Sequence, residues 1–377
     1  MLYILYMKKV RSISWVKFTI AIFLCLVCFI LTGCNTSIDV KKFSKESTFG
    51  TSTSLKKVKD YTNNYYLVKN NVKDFKILNL SDIHFGNGTI SKKQDEQVLK
   101  DVKLLIEQTN PDLIILNGDN VYPFAFSSGT TDNLQQMKTL ATFLESFQIP
   151  WTLIFGNHDN EFGSKYSLND LGNYLEKLNY CLFTKGPETV SGVGNQIINI
   201  RNTNGRLLTS LILFDSHSYY GTTGLSGYDN IHQDQIDWYK SYIIETSQRE
   251  NFNSIAFLHI PIEEYKEAWQ KYKQGSDEVT YYFGDANEKN EKITTPEKNS
   301  DIFNTMVELK NTTAIFAGHN HLNDFSIKYK GIRLTFNSTL DNLAYVKANN
   351  DIRGGTVIEI DNDKSFYIYH VKLFELE

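Results

Sequence analysis

Four of the eight histidines stand in four short polar motifs, and a fifth, His259, completes the set. The motifs are Asp82-Ile83-His84, Gly118-Asp119-Asn120, Gly156-Asn157-His158-Asp159 and Gly318-His319-Asn320-His321, and His259 lies alone between the last two. Carboxylate and amide oxygens beside imidazole nitrogens, with no thiolate, suit manganese, iron, zinc or similar divalent or trivalent ions. Asp82 and His84 are two apart, so in an extended chain they point the same way and can share one ion. Asp119 has two carboxylate oxygens and can bridge two cations, Asn157 offers a neutral amide oxygen, and His259, His319 and His321 supply imidazole nitrogens. Two ions held ~3.5–4 Å apart can bind a hydroxide and clamp a phosphoryl group. Carboxylates are needed as well, because two cations without them repel each other. His158, one residue beyond Asn157, points away from that ligand's direction. It can face a substrate, either to stabilise developing charge or to protonate a leaving oxygen. Asp159 could fix the His158 ring from behind.

Such residues act together only if the chain brings them together, and their flanks say how. Phe75–Leu80, Leu113–Leu116 and Trp151–Phe155 are apolar runs that each open into a motif. Helical patterns over about 92–108 and 132–147 separate them, the first stopped by Asn110-Pro111. Alternation of helices with continuously apolar strands implies parallel sheet buried on both faces. Further strand patterns follow at 65–68, 196–200, 207–214, 255–258, 314–316, 324–329, 332–337, 356–360 and 366–372. The expected fold is α/β: two packed β-sheets, a β-sandwich, flanked by helices on both outer faces in four layers. Ligands of open α/β sheets sit at the carboxyl ends of the strands, where all of these motifs fall. The polar stretch 273–299 reads as a long loop of the kind that is often functional.

The N-terminal third of the first hundred residues has another character. Lys8, Lys9, Arg11 and Lys17 precede Phe18–Leu31, an uncharged run of 14 residues that ends at Leu31-Thr32-Gly33-Cys34. The run is short for a spanning helix, which needs roughly 20 residues. The pattern resembles a bacterial lipobox, with 1–33 as signal peptide, Cys34 as the lipidated residue and 34–64 as a flexible tether to a domain over 65–377. An uncleaved anchor is the alternative. This reading puts the protein on the cell membrane, lipid-anchored, at the extracytoplasmic face. The formal charge of the whole chain is −4, and residues 1–33 carry four positive charges and no negative ones, so the remainder stands near −8. An acidic surface gives no footprint for nucleic acid. With 41% hydrophobic, 13% aromatic and 22% charged residues, the chain has ample material for a core. Beyond Cys34 only Cys181 remains, flanked by Tyr180 and Leu182-Phe183, and it reads as a buried thiol.

Taken in order, the motifs resemble those of the calcineurin-like metallophosphoesterase superfamily: D-x-H, G-D-x, G-N-H-[DE], a lone His and G-H-x-H. The resemblance covers about 75–324. It implies one metal on Asp82, His84, Asp119 and His321, another on Asp119, Asn157, His259 and His319, and His158 as the catalytic histidine. Phe214-Asp215-Ser216, Gly227-Tyr228, His259-Ile260-Pro261 and Asn323-Asp324 look like the purple-acid-phosphatase-like branch. True purple acid phosphatases carry an iron-ligating tyrosinate three residues after the Asp119 equivalent and lack the His of D-x-H. Tyr122 occupies that place here, but His84 is present, so His84 is expected as ligand and Tyr122 as a wall residue. Asp215, Ser216 and His217 are further candidates for the substrate pocket, with His217 open between pocket and loop. Tyr219-Tyr220 and Tyr281-Tyr282-Phe283 could wall a leaving group or pack their own loops.

The expectation is a monomeric hydrolase that uses two divalent or trivalent ions (manganese, iron or zinc) on a phosphorylated small molecule or phosphoester, with phosphomonoesters favoured. A phosphodiesterase or nucleotidase acting on nucleotides or lipid head groups is the alternative within the same chemistry. A non-catalytic envelope lipoprotein that binds a phosphorylated ligand is the alternative outside it.

Overall fold

The computed structural model describes residues 38–43, 53–54, 65–69, 75–221, 227–345 and 352–376. The expected signal peptide and Cys34 lie outside these residues. Among the described residues no helix is long and apolar enough to cross a membrane.

Strands β1 (Thr53–Ser54), β2 (Tyr65–Lys69), β3 (Phe75–Leu80), β4 (Leu113–Asn117), β5 (Trp151–Ile154), β6 (Gln196–Arg201), β7 (Leu207–Leu213) and β8 (Asn253–Phe257) come first. They are followed by β9 (Val279–Phe283), β10 (Thr312–Ala317), β11 (Ser326–Tyr329), β12 (Ile332–Phe336), β13 (Gly354–Ile360) and β14 (Phe366–Lys372). One sheet has nine strands in the order β1-β2-β6-β7-β8-β10-β12-β11-β9, and the other has five, β14-β13-β3-β4-β5. In the smaller sheet β3, β4 and β5 run parallel, and β13 and β14 are added antiparallel. In the larger one β7, β8, β10 and β12 form the parallel centre.

Alternation along each strand divides the core into three apolar layers. Phe75, Ile77, Leu113 and Ile115 of the small sheet face Ile255, Phe257, Ala314 and Phe316 of the large one. Their neighbours Leu78, Leu80, Ile114 and Leu116 point the other way, onto helices Lys92–Thr109 and Asn133–Glu145. Ala256, Ile315 and Leu334 meet helices Gln233–Ser247, Glu264–Lys273 and Ile302–Leu309 on the opposite flank. Strands apolar on both faces can be accommodated only in the middle of such a stack. The first helix shows how sequence sets a boundary. Val98, Leu99, Val102, Leu105 and Ile106 make its buried stripe. It ends where Asn110 takes the left-handed conformation, at φ 46°, just before Pro111.

Two sequence expectations change. Within the stretch expected as tether, Ile38 is buried, and Val40 and Phe43 pack against the helical side of the small sheet. The polar stretch 273–299 contains a strand, β9, hydrogen-bonded to β11 at the edge of the large sheet. Its residues Thr280, Tyr281 and Tyr282 are exposed, so it lacks the buried face by which a strand is recognised in sequence.

Phe257 and Phe316 stack face to face in the layer between the sheets, with ring centroids 5.3 Å apart. Phe257→Ala should lower the unfolding free energy by about 3–5 kcal/mol, the usual cost of an emptied core aromatic. The check is the urea midpoint at unchanged slope, and a loss below about 1 kcal/mol would mean that this layer does not hold the sheets together.

Candidate metal centre

Every motif sits where the sequence reading put it, at the carboxyl end of a strand. Asp82 and His84 follow β3, Asp119 follows β4, Asn157 and His158 follow β5, His259 follows β8, and His319 and His321 follow β10. The first three strands belong to one sheet and the last two to the other, so the centre straddles the opening between them. Gly118 and Gly156 permit the closeness this needs. A Cβ on Gly118, which has φ 91°, would collide with the His259 ring, and one on Gly156 with the Asp119 carboxylate.

The donors fall into two groups that share Asp119. Ligating atoms of Asp82, Asp119 and His321 lie within 4.8 Å of one another, and so do those of Asp119, His259 and His319. His84 joins the first group, its Nε2 standing 3.6 Å from Asp119 Oδ2, and His321 Nε2 lies 3.4 Å from Asp82 Oδ1. In the second group His259 Nε2 is 3.1 Å from the same Asp119 Oδ2. His84 Nε2, Asp119 Oδ2, Asn157 Oδ1 and His259 Nε2 are all buried and have no hydrogen-bond partner. Native proteins rarely leave such atoms unsatisfied, at a cost of about 1–3 kcal/mol each. Three of them, on His84, Asp119 and His259, meet at the shared carboxylate, and together with the buried amide oxygen of Asn157 the donor set fits two cations.

Electrostatics point the same way. Burial works against an ionised Asp119, but His259 and His158 override it and hold the carboxyl well below its usual range. Burial also opposes a charged His259, yet Asp119 pushes that ring up to about 9. His321 rises to about 9 against burial, through Asp82 and then Asp341. The carboxylates therefore draw positive charge into a buried site, whether it comes from protons or from metal ions.

The imidazoles are held in the tautomers that ligation requires. His259 Nδ1 donates to the carbonyl of Asn117 at 2.9 Å, which leaves Nε2 for an ion. His321 Nδ1 donates to Asp341 Oδ2 at 3.0 Å, and the other oxygen of Asp341 lies 3.9 Å from His84 Nδ1. Backbone N–H groups of Leu343, Ala344 and Tyr345 in turn donate to Asp341. Asp341 was missed in the sequence, although it lies in the loop after β12, a strand beside β10, and the strand-end rule applies to it equally.

Several expectations are corrected. Asp82 and His84 do not share a direction by lying in extended chain. Both take positive φ, at 54° and 49°, as do Asp119 at 50° and His319 at 69°. Such conformations cost non-glycine residues of order 1–3 kcal/mol and collect at functional sites. Asp159 does not hold the His158 ring. Its carboxylate is buried and accepts from the backbone N–H groups of Gly156, Asn120 and Val121 and from the Asn120 amide. It ties the second motif to the third, and burial pushes it up to about 7. The partner of His158 Nδ1 is Glu161, in a short contact, a residue the sequence reading passed over only three positions away. Burial opposes a charged His158, but Asp119 and Glu161 raise it above the ordinary value.

Asp215, Ser216 and His217 are loop braces rather than pocket walls. Asp215 accepts from the backbone of Val193 and His217. Ser216 Oγ accepts from Ile260 N at 3.0 Å, beside His259. His217 stacks on His232 with ring centroids 4.0 Å apart and bonds Gln235. Four tyrosines form the wall instead. Tyr122 meets the rings of His84 and His158 at 5.2 Å each, Tyr345 meets His321 at 4.3 Å, and Tyr228 meets His319 at 4.4 Å. Tyr219 stacks on Tyr228 and stands 3.5 Å from the Asn157 amide. Tyr281–Phe283 lie in β9 and take no part.

Because Asp341 orients His321 and faces His84, Asp341→Asn should weaken metal affinity by about 10–100-fold, as loss of such a partner does elsewhere. Competition against a chelator of known affinity reads this directly. Unchanged affinity would reduce Asp341 to a loop anchor.

The calcineurin-like phosphoesterase family pattern matches residues 75–323. "Probable inactive purple acid phosphatase 28" of Arabidopsis thaliana is 28% identical over 305 residues, which are 73% of this chain and 72% of that protein. "Phosphatase DCR2" of Saccharomyces cerevisiae is 28% identical over 275 residues, 67% of this chain but 45% of the yeast protein. Among solved structures, a dimetal phosphatase from Danio rerio shares the fold with a TM-score of 0.54 at 8% identity, covering 80% of this chain and 96% of that one. With its motifs gathered into one centre between two sheets, the chain belongs to the calcineurin-like phosphoesterase family.

Proposed function

We propose that this protein is an active metal-dependent phosphoester hydrolase, with phosphomonoesters as its favoured substrates. One observation carries the reading: six of the seven expected donors gather in groups that share Asp119 or His84, the seventh, Asn157, keeps a buried and unsatisfied Oδ1, and His158 stands beside His84. Some relatives carry "inactive" in their names, but this chain lacks none of the residues the chemistry requires. When bound, two cations would polarise the phosphoryl group and supply a nucleophile from water at neutral pH. Asp82, His84, Asp119 and His321 would hold one ion, and Asp119, Asn157, His259 and His319 the other. His158, with Nδ1 engaged by Glu161, is suited to carry a proton on Nε2 and deliver it to the leaving oxygen.

Para-nitrophenyl phosphate should be hydrolysed faster than its bis ester, and only with manganese or a similar ion present. The reverse preference would favour the phosphodiesterase reading, and no turnover of either with two ions bound would favour the ligand-binding one. His158→Ala should lower kcat by roughly 10²–10⁴-fold, the range of a positioned acid or base, with metal content unchanged. Retained turnover would remove His158 from the chemistry.

We further propose that lipid on Cys34 anchors the protein to the membrane. Only three residues lie between Cys34 and Ile38, which is buried in the domain. The four steps of chain from Cys34 to Ile38 span at most ~14 Å, so lipidation there would keep the domain against the bilayer rather than on a long leash. Cys34→Ser should abolish incorporation of labelled lipid, and a wild-type protein that incorporates none would overturn the anchor.

A further inference from the structure

Away from the metal centre, at the side of the sandwich where the two sheets part, lies a second cavity of about 550 Å³. One wall is Tyr282 and Phe283 of β9 with Lys328 of β11 and Arg333 of β12. The facing wall is Phe366 and Tyr367 of β14, from the other sheet. Thr313, near the start of β10, also lines it, whereas β10 delivers His319 and His321 from its far end. The volume is that of a small-molecule site, and the lining has the character of one: aromatic rings with a few polar groups.

Arg333 is the unusual member. Its guanidinium lies 3.9 Å above the centroid of the Tyr282 ring and 5.4 Å from that of Phe283. Its Nε donates to Ser326 Oγ at 2.8 Å. Among the described residues no carboxylate forms an ion pair with it, nor with Lys328. The nearby Asp324 is committed to Lys372 at 2.7 Å. A half-buried cation without a counter-ion is costly and uncommon. Burial pushes this guanidinium down to about 10. In the same neighbourhood burial, and then Lys372, drive His370 down to about 4. With Arg333 and Lys328 in its lining and no carboxylate there among the described residues, the cavity is electropositive on a chain whose formal charge is negative.

The geometry points to a binding site for a small aromatic oxyanion, in which the planar fork of Arg333 takes a carboxylate, sulfonate or phosphate while the ring of the ligand lies among Tyr282, Phe366 and Tyr367. Arginine matches such oxyanions through two parallel N–H···O bonds. Stacking on Tyr282 holds the fork in place before the ligand arrives, which reduces the ordering cost of binding. The site is independent of the metal centre and of the hydrolytic reading.

Calorimetric titration of the full chain with naphthalene-2-sulfonate, a weak metal ligand, tests it. Saturable one-to-one binding is expected, and methanesulfonate, which lacks the ring, should bind at least ~10-fold more weakly. Arg333→Met keeps the bulk and removes the fork, and should weaken binding by ~10-fold or more. Lys328→Glu, at an exposed position, should weaken it too and serves if Arg333→Met does not fold. Asp119→Asn, which disrupts the metal centre, should bind as wild type does. Absence of binding to wild type, or equal binding by a folded Arg333→Met, overturns the proposal, and loss in Asp119→Asn assigns the ligand to the metal centre instead.

Discussion

The shared carboxylate of Asp119 is the constraint around which the rest is arranged. It is wholly buried, and one of its oxygens faces imidazoles from two sheets. A carboxylate in that position is tolerable only when cations surround it, and it can be surrounded only if strands from both sheets end at one height. The ties that fix this height run between the sheets. The Asn117 side-chain amide donates to the carbonyl of Leu258 at 2.8 Å, and His259 donates back to the carbonyl of Asn117. Asn79 donates to Asn337 at 2.8 Å, and Leu340 N donates to Ser81 O at 3.0 Å. The apolar layer between the sheets supplies adhesion, and these polar ties supply register. Fold and site are thus one arrangement at different scales.

Strain at the site follows from the same demand. Strands end about 4.8 Å apart within a sheet, whereas donors to a pair of ions must crowd closer than that. The chain meets this by turning sharply, with positive φ at Asp82, His84, Asp119 and His319. Backbone hydrogen bonds keep the turns from relaxing: Asp82 N to Gly118 O, His84 N to Asp119 O and Gly318 N to His259 O. His158 N and His319 N donate to the carboxylates of Asp119 and Asp82. The polar groups of the turns therefore build the floor of the site as well as its shape.

Much of this was legible in the sequence because buried parallel strands announce themselves as apolar runs, and the motifs directly abut those runs. The strand ends that carry the candidate donors followed from those runs, and the grouping of the donors from the resemblance of the motifs to a known family. What remained illegible depends on directions that spacing does not encode. Asp159 is adjacent to His158 in sequence, but the backbone donors of the second motif capture its carboxylate, and Glu161, one helical turn's reach further on, takes the ring. Asp215 and Ser216 lie at a strand end like the ligands do, yet N–H groups of His217 and of two neighbouring loops, at Val193 and Ile260, consume their oxygens. The edge strand β9 carried no burial pattern because its side chains face water. Asp341 was legible in principle. It lacked a histidine beside it, and the eye follows histidines.

Asp341 also shows why the wall and the ligands cannot be treated separately. Its carboxylate fixes the tautomer of His321 and stands near His84, and the same two oxygens gather the N–H groups of Leu343, Ala344 and Tyr345. That gathering sets the ring of Tyr345 edge-on to His321. The hydrogen bonds that share the two oxygens of Asp341 make their donors depend on one another, so the group that steers His321 also hangs part of the rim above it. Tyr122, in edge contact with both His84 and His158, links the rim to the histidine proposed above as the proton donor. A change in the rim therefore reaches His84, His321 and His158 through direct ring contacts, so the wall and the donor groups form one packed unit.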